Sequence, residues 1–299
     1  MRVTITGASG FIGRELLRQL ADGANDVRIL GRALRIGLPP NVEFAIWDPE
    51  KGTPPTGALE HADAVIHLSG EPVAQRWTPK TMRQIRESRV LGTQRLVESI
   101  GQCASKPKAL VCASAVGYYG DRADETLTES SKPGTGFLPE VCQEWEHAAQ
   151  AAAAFGVRVS MIRTGIVLGR NGGALAKMLP PFKAGVGGRI GSGKQWMPWI
   201  HLEDLARLYL FAARTPAVSG PLNGVAPSPV TNADFTQALA RALRRPALLP
   251  VPAFALKLLF GNMSEILIGS QRALPQAAQA AGFTFNHTDL AAALQTIVS

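Results

Sequence analysis

The fold is decided by the run Thr6-Gly7-Ala8-Ser9-Gly10-Phe11-Ile12-Gly13 near the start of the chain. It has the pattern GxxGxxG and lies between a β-branched segment and a segment with leucines at helical spacing. In such a run the first glycine allows a tight turn, the second lets backbone approach a pyrophosphate, and the third lets helix and strand pack closely. The helix N-terminus then offers unpaired N–H groups to an anion. We therefore predict dinucleotide binding at Gly7, Gly10, Phe11, Ile12 and Gly13.

Outward from this run, strand patterns alternate with helix patterns. Strands are predicted at 3–6, 27–30, 42–47, 64–68, 109–113 and 157–162, and helices at 78–100 and 138–155. This alternation predicts an α/β fold of the Rossmann type, a doubly wound parallel sheet covered on both faces. The texture changes after residue 168, where 169–193 is glycine-rich and looks like a loop. We expect a nucleotide-binding domain over 1–168, to which 199–215 returns, and a smaller C-terminal substrate domain over 169–299.

Composition narrows the class of protein. The chain has 299 residues, 46% of them hydrophobic and 18% charged, which excludes a disordered chain. The net charge of +8 permits a phosphate-rich ligand, but no nucleic-acid motif accompanies it, so we expect no nucleic-acid partner. Three cysteines without a CxxC pair fit a reducing compartment and argue against a zinc site; we expect a cytoplasmic protein without a metal. No apolar run is long enough to span a membrane.

The end of the second predicted strand indicates which cofactor is preferred. An acidic residue about 20 residues beyond the glycine run would bind the ribose 2′-hydroxyl of NAD. Gly31 and Arg32 stand there instead. A guanidinium suits a 2′-phosphate in charge and in geometry. The sequence therefore predicts NADP(H) as the cofactor.

Several further segments resemble the short-chain dehydrogenase/reductase superfamily in its extended form, over nearly the whole chain. They are VIHLSG (65–70), ASAVGYYG (113–120), RTGIVLG (163–169) and PWIHLEDLA (198–206). Together with RNGG and LNGVAPSPVTNADF, they are similar to an atypical epimerase-like branch of the NAD-dependent epimerase/dehydratase family that carries a C-terminal domain of unknown function. Members of that branch mostly lack an assigned substrate.

The resemblance implies further cofactor contacts. Leu68, Ser69 and Gly70 would line the cofactor and Asp48 would lie near the adenine. Gln84, Arg89 and Val167 would also contact the cofactor. Arg89 belongs to a basic helix face with Lys80, Arg83 and Arg86, which has the charge to neutralise phosphates but is equally typical of a solvated surface.

The usual proton-transfer pair of the superfamily is absent. That pair is a Tyr and a Lys in YxxxK, with an upstream Ser. None of the three tyrosines has a lysine four residues later, and Leu138 and Cys142 stand near the expected places. Ala115 takes the usual Ser position. Ser114 and Tyr118 are our candidates for catalysis, with Tyr119 as an alternative proton donor, and each has a structural alternative at the end of the fifth strand.

Other groups are weaker candidates. Glu140 or Glu144 would serve as a base if not simply solvated, and His201 and His67 are expected to be structural. Cys142 lacks a partner that would activate a thiol. The loop 185–199 combines glycines with aromatic and basic residues, which suits closure over an anionic small molecule or a plain connector.

These observations leave three functions open. The leading one is an NADP(H)-dependent oxidoreductase acting on a small carbonyl or alcohol. The alternatives are an epimerase or dehydratase that uses bound NADP, and a non-catalytic NADP(H)-binding sensor or interaction protein. The apolar stretch 254–260 predicts either a wall of the substrate domain or a contact between two copies in a homodimer.

Overall fold

The computed structural model describes residues 1–21, 25–33, 42–170, 172–247 and 249–298. Its strands are β1 (Arg2–Thr6), β2 (Asp26–Gly31), β3 (Val42–Ile46), β4 (Ala64–His67), β5 (Ala109–Ala115), β6 (Thr126–Leu127), β7 (Arg158–Thr164), β8 (Ile166–Leu168), β9 (Trp196–Met197), β10 (Trp199–His201), β11 (Gly220–Gly224), β12 (Val230–Thr231) and β13 (Arg272–Ala273).

The α-helices of the same residues are α1 (Phe11–Ala21), α2 (Pro79–Gln102), α3 (Phe137–Gln150), α4 (Gly173–Lys183), α5 (Leu202–Arg214), α6 (Asn232–Leu243), α7 (Ala253–Phe260), α8 (Ser264–Ile268), α9 (Gln276–Ala280) and α10 (Leu290–Val298). Short 3₁₀ helices lie at Thr56–Ala58, Val116–Tyr119, Ala151–Phe155 and Gly261–Met263.

The central sheet has seven parallel strands in the order β11-β7-β5-β4-β1-β2-β3. The order of the strands reverses at β1, which pairs with β2 on one side and β4 on the other. Ligands of such sheets bind in the crevice beyond the carboxyl ends of the strands at this switch point. The fold thus confirms the predicted Rossmann-type doubly wound sheet.

Helices cover both faces of the sheet. On one face, α1 and α5 pack against each other and the sheet, and Leu16, Leu20 and Tyr209 share a core with Val3 and Ile5 of β1. On the other, α2 and α3 pack on β4 and β5, with Leu96 and Trp145 in the core. Because both faces are covered, all four residues of β4 are buried, and apolar and polar residues do not alternate along it.

The part of the chain after β8 differs in detail from the sequence prediction. The segment 199–215 contains β10 and α5, and α5 packs against α1 and β4. Beyond that segment, β11 is an edge strand of the central sheet. The expected loop 169–193 contains α4. Leu175, Met178 and Phe182 follow helical spacing there and pack in a core, but flanking glycines and two internal prolines obscure the pattern.

The C-terminal part forms its own apolar core, in which α4, α6 and α10 meet through Leu175, Phe235 and Leu294. Helix α7 leaves Phe254 and Leu258 largely exposed, 74% and 78%. Within the described ranges, no helix combines the length and the apolar character that crossing a membrane requires.

Candidate cofactor and active site

The glycine run forms the turn between β1 and α1. Gly7 has φ +70°, and a Cβ there would lie 2.9 Å from the backbone carbon of Leu68. The N–H of Gly10 donates to the carbonyl oxygen of Gly7 at 2.9 Å, which closes the turn. A Cβ on Gly13 would lie 2.4 Å from the same oxygen. Glycine is therefore required at the first position by conformation and at the third by close packing.

The second glycine and the start of α1 shape an anion site. A Cβ on Gly10 would meet only the Gly7 oxygen, at 3.1 Å, so its other side is open. Helix α1 begins at Phe11, and the first N–H groups of a helix have no partner within it. The backbone N–H groups of Phe11, Ile12 and Gly13 thus face the region beyond the turn with the positive end of the helix dipole.

A cavity of about 920 Å³ opens beyond the carboxyl ends of β1, β2 and β4. Most of the predicted cofactor residues line it: Gly7, Gly10, Gly31, Arg32, Asp48, Leu68, Ser69, Gly70 and Gln84. Its walls also include Arg14, Leu17, Phe44 and Trp47. These residues lie on α1, α2, β2 and β3 and in the loops after strands β1 to β4, which the parallel sheet brings to one edge.

Other predicted cofactor residues lie outside this lining. The ring of Phe11 packs against the backbone of the loop before α4, where a Cβ on Gly172 would lie 2.4 Å from it. Ile12 and Val167 pack against the core beneath the sheet edge. Any contact of these three side chains with a cofactor stays a prediction, from the glycine run for Phe11 and Ile12 and from the resemblance for Val167.

Arg89 is a cation held behind the cavity wall. A Cβ on Gly70 would lie 3.2 Å from its guanidinium carbon. Its Nη1 donates to the carbonyl oxygens of Glu71 (2.9 Å) and Ile85 (3.2 Å), and the guanidinium lies 5.1 Å from the ring centre of Trp145. Burial lowers the pKa of Arg89. The side chain therefore supports the Gly70 backbone from behind.

His67 lies beneath the same edge, at the end of β4. Its imidazole is fully buried, as the sequence predicts, and burial lowers its pKa to about 4. Its Nδ1 is 2.7 Å from the hydroxyl of Thr6. That hydroxyl also accepts the backbone N–H groups of Leu68 (3.2 Å) and Ser69 (3.3 Å), so its own hydrogen goes to the imidazole. The neutral ring thus helps to hold the cavity wall in place.

A buried ion pair lies at the carboxyl ends of β5 and β7. Arg163 donates to both carboxylate oxygens of Glu146, at 2.8 Å each, and the two side chains are 4% and 10% exposed. The hydroxyl of Ser114 donates to the same carboxylate at 2.7 Å. Because its hydrogen is used there, Ser114 does not offer a free donor to a substrate carbonyl in this arrangement.

Both tyrosines after β5 contact this pair. The guanidinium of Arg163 lies 3.5 Å from the ring centre of Tyr118, which is half-buried. Nη1 of Arg163 donates to the hydroxyl of Tyr119 at 3.0 Å, and that hydroxyl donates to Oδ1 of Asn223 at 2.7 Å. Burial raises the pKa of Tyr119 to about 12. Of the two, only Tyr118 is partly accessible.

At the two positions near which the superfamily's Tyr and Lys are expected, Leu138 and Cys142, no group titrates near neutral pH. Leu138 contacts Gly117, where a Cβ would lie 3.3 Å away, and Cys142 is buried. Burial raises the pKa of Cys142 to about 12, which excludes an activated thiolate. Glu140 and Glu144, weighed as bases, are half-exposed and form surface ion pairs with Arg86.

Sequence reasoning missed Glu146. It lies four residues after Cys142 on α3, so the two share the buried face of the helix. The available signal was a carboxylate at a helix position where the spacing predicts a buried residue. Its partner Arg163 lies on β7, and only the fold brings that strand close to α3.

His201 has a structural role. It precedes α5 as its N-cap, since Nδ1 accepts the N–H of Glu203 at 3.2 Å. Its ring stacks on His287 with centres 3.7 Å apart, and His287 Nε2 lies 3.3 Å from a Glu203 oxygen. Burial and the neighbouring His287 lower the pKa of His201. One ligand-type atom from each of His201, Glu203 and His287 lies within 4.8 Å of the others, and the cluster joins the C-terminal segment to α5.

Comparison with known proteins places this arrangement in a class. The sequence profile of the NAD dependent epimerase/dehydratase family matches residues 3–223, and that of a domain of unknown function (DUF1731) matches 251–297. The chain therefore belongs to the NAD dependent epimerase/dehydratase family, as its motifs predict, with that second domain at its C-terminal end.

Particular relatives share both parts. An epimerase family protein of Mycobacterium leprae is 42% identical over 295 residues, 98% of this chain and 94% of that protein. The crystal structure of the human epimerase family protein SDR39U1 with NADPH is 34% identical, covers 99% of each chain and has a TM-score of 0.88. A structure described as the nucleoside-diphosphate sugar epimerase of Corynebacterium glutamicum is 38% identical with a TM-score of 0.80, and this chain spans 58% of it.

Proposed function

We propose that the protein binds NADP(H) in the cavity at the switch point of the sheet. The observation that carries the proposal is that cavity itself, where the glycine turn, the start of α1 and Arg32 meet. Arg32 follows the end of β2, where a carboxylate for an unphosphorylated ribose is missing. The NADPH in the crystal structure of the human relative supports the same preference.

The residues of the cavity fit the parts of such a cofactor. The open side of Gly10 and the N–H groups at the start of α1 would hold the diphosphate. Arg32 would bind the 2′-phosphate, and Asp48 lies on the wall near the expected adenine. Leu68 and Ser69 would lie along the ribose and nicotinamide side. When bound, the cofactor supplies hydride chemistry.

For the reaction, we favour reduction or oxidation of a small carbonyl or alcohol. The protein's own part is to orient the substrate and to exchange a proton with it. Tyr118 is our candidate for this exchange, because its half-buried ring follows β5 and lies against the Arg163 guanidinium. Ser114 orients Glu146 and acts on the substrate only if its hydrogen bond to Glu146 is released.

Epimerisation or dehydration with bound NADP is the second candidate. It is favoured by the relative described as a nucleoside-diphosphate sugar epimerase, which is 38% identical. A non-catalytic role as an NADP(H)-binding sensor or interaction protein follows from the missing proton-transfer pair. All three functions require bound NADP(H). They differ in whether a substrate is converted and in whether the cofactor is consumed in that conversion.

Titration of NADPH and NADH into the wild type and Arg32→Ala tests the cofactor. We expect the wild type to prefer NADPH, and Arg32→Ala to weaken NADPH binding by about 1.5–3 kcal/mol, the contribution of a hydrogen bond to a charged group. Arg83→Ala, an exposed arginine of α2 outside the cavity, is the matched control. Equal affinities of the wild type for the two cofactors would contradict the proposal.

Turnover is tested separately. NADPH oxidation is followed against a panel of small carbonyl compounds, and nucleotide sugars are incubated with NADP in D₂O. Net oxidation supports a reductase, whereas an inverted or dehydrated sugar without net cofactor change supports an epimerase or dehydratase. Binding with neither result supports the non-catalytic role.

A further inference from the structure

Arg14 lines the cavity as well as Arg32 and lies outside the motifs quoted above. It lies in the first turn of α1, and Leu17, one turn on, lines the cavity with it. Its Nη1 donates to the carbonyl oxygen of Ser9 at 3.0 Å, which holds the guanidinium over the glycine turn. The side chain is otherwise exposed. Its charge therefore faces the cavity mouth and not the core.

Arg14 also differs from its neighbour in charge pairing. Arg18, the next arginine on the helix, donates to both carboxylate oxygens of Glu15 at 2.9 and 2.7 Å and lies outside the cavity lining. Within the described part of the chain, no Asp or Glu oxygen lies within 4.0 Å of the Arg14 guanidinium. An arginine kept by a backbone oxygen and without an acidic partner is suited to an anion from outside the chain.

The position of Arg14 indicates which phosphate it would meet. The diphosphate is already provided for by the N–H groups at the start of α1 and the open side of Gly10. Arg14 and Leu17 line the same cavity as Ile29, Leu30 and Arg32 from the end of β2. The cavity therefore has two guanidiniums in its lining, one on a helix and one after a strand.

We propose that Arg14 and Arg32 together bind the 2′-phosphate of the nucleotide, so that Arg14 is a second residue that determines cofactor specificity. The inference rests on the proposed binding of NADP(H). Two planar guanidiniums can each donate two parallel hydrogen bonds to phosphate oxygens, and each is permanently charged. Arg14 contributes nothing to a nucleotide that has only the 2′-hydroxyl.

The test uses the full chain and four nucleotides: NADPH, NADH, 2′,5′-ADP and 5′-ADP. We expect Arg14→Ala to raise the Kd of NADPH and of 2′,5′-ADP by about 10- to 100-fold and to leave the Kd of NADH and 5′-ADP within about twofold. Arg18→Ala, on the same helix, should leave all four unchanged. Arg14→Lys should restore part of the affinity for the two 2′-phosphorylated compounds, because it keeps the charge and loses the second hydrogen bond.

The outcomes separate this inference from the proposed function. If the wild type prefers NADPH and Arg14→Ala does not change its affinity, the role of Arg14 is wrong and the cofactor proposal stands. If Arg14→Ala weakens NADH and 5′-ADP equally, Arg14 acts on the diphosphate or through Ser9, and the inference is again wrong. If the wild type binds none of the four, both proposals fail. A thermal melt of each variant shows that the fold is kept.

Discussion

His67 makes the stability of the protein depend on pH between neutral and mildly acid solution. The imidazole is fully buried, its Nδ1 accepts the Thr6 hydroxyl, and its Nε2 has no hydrogen-bond partner among the described residues. Protonation would place a charge among apolar side chains without an acceptor for it. This burial lowers the pKa of His67 from 6.5 to about 4.

The sign follows from which state takes up the proton. Above about pH 7 the imidazole is neutral in the folded and the unfolded state, so His67 does not make the free energy of unfolding depend on pH. As pH falls below 6.5, the unfolded chain is protonated first, so the folded state loses stability until the pH reaches about 4. At about 1.4 kcal/mol per pH unit, the loss reaches about 2 kcal/mol at pH 5 and about 3 kcal/mol below pH 4.

The measurement compares the wild type with His67→Gln by urea unfolding at several pH values from 8 to 5. Glutamine keeps a polar contact to Thr6 and does not titrate. All other histidines and carboxyl groups are present in both proteins, so their pH dependence cancels in the difference. We expect the stability advantage of the wild type to shrink by about 2 kcal/mol over this range.

Parallel curves for the two proteins would refute the reasoning. If the variant does not fold, an NMR titration of the His67 ring in the wild type decides the question without it. A ring that titrates near 6.5 would show that the imidazole is hydrated, and the role assigned to its contact with Thr6 would then fall as well.

Further variants test the glycine turn, the buried ion pair and the candidate catalytic residues. Gly10→Val should abolish NADPH binding with little change in the melting temperature, whereas Gly13→Ala should lower both, because its Cβ meets backbone at 2.4 Å; overpacking of that kind costs about 1–3 kcal/mol. Glu146→Gln should destabilise the protein by about 3–5 kcal/mol in denaturant unfolding, since a buried guanidinium loses its anion. Ser114→Ala and Tyr118→Phe should each lower kcat, by up to about 10²–10⁴-fold, at unchanged NADPH affinity if they exchange or relay the proton. Full activity in both variants would remove them from the mechanism, and lost stability alone would make them structural.

The parts of the fold that sequence predicted well are those set by near neighbours. Strands β1 to β5 and β7, six of the seven strands of the central sheet, begin and end within a few residues of the predicted bounds. The glycine run predicted the turn at Gly7 and Gly10 because the atoms that require glycine there lie within a few residues or in the loop after the adjacent strand. The role proposed for Arg32 also depends only on its position directly after β2, which the sequence predicted.

Helix α4 shows where local signals mislead. Glycines and two prolines within 169–193 are typical of a loop, and the sequence predicted one. Tertiary packing overrides that preference, because Leu175 and Phe182 gain burial against α6 and α10 only when the segment is helical. Propensity is a weak guide where burial on one face decides.

By itself, then, the sequence determined the parallel sheet, the glycine turn and the absence of the Tyr–Lys pair, all of which lie in short runs of adjacent residues. Only the tertiary structure decided that Ser114 donates to Glu146, that Arg163 forms a buried ion pair with the same carboxylate, and that Arg14 shares a cavity with Arg32. Each of these contacts joins separate elements. Their proximity depends on the order in which the strands pair and on which helix covers which face, and no local pattern of side chains carries that information.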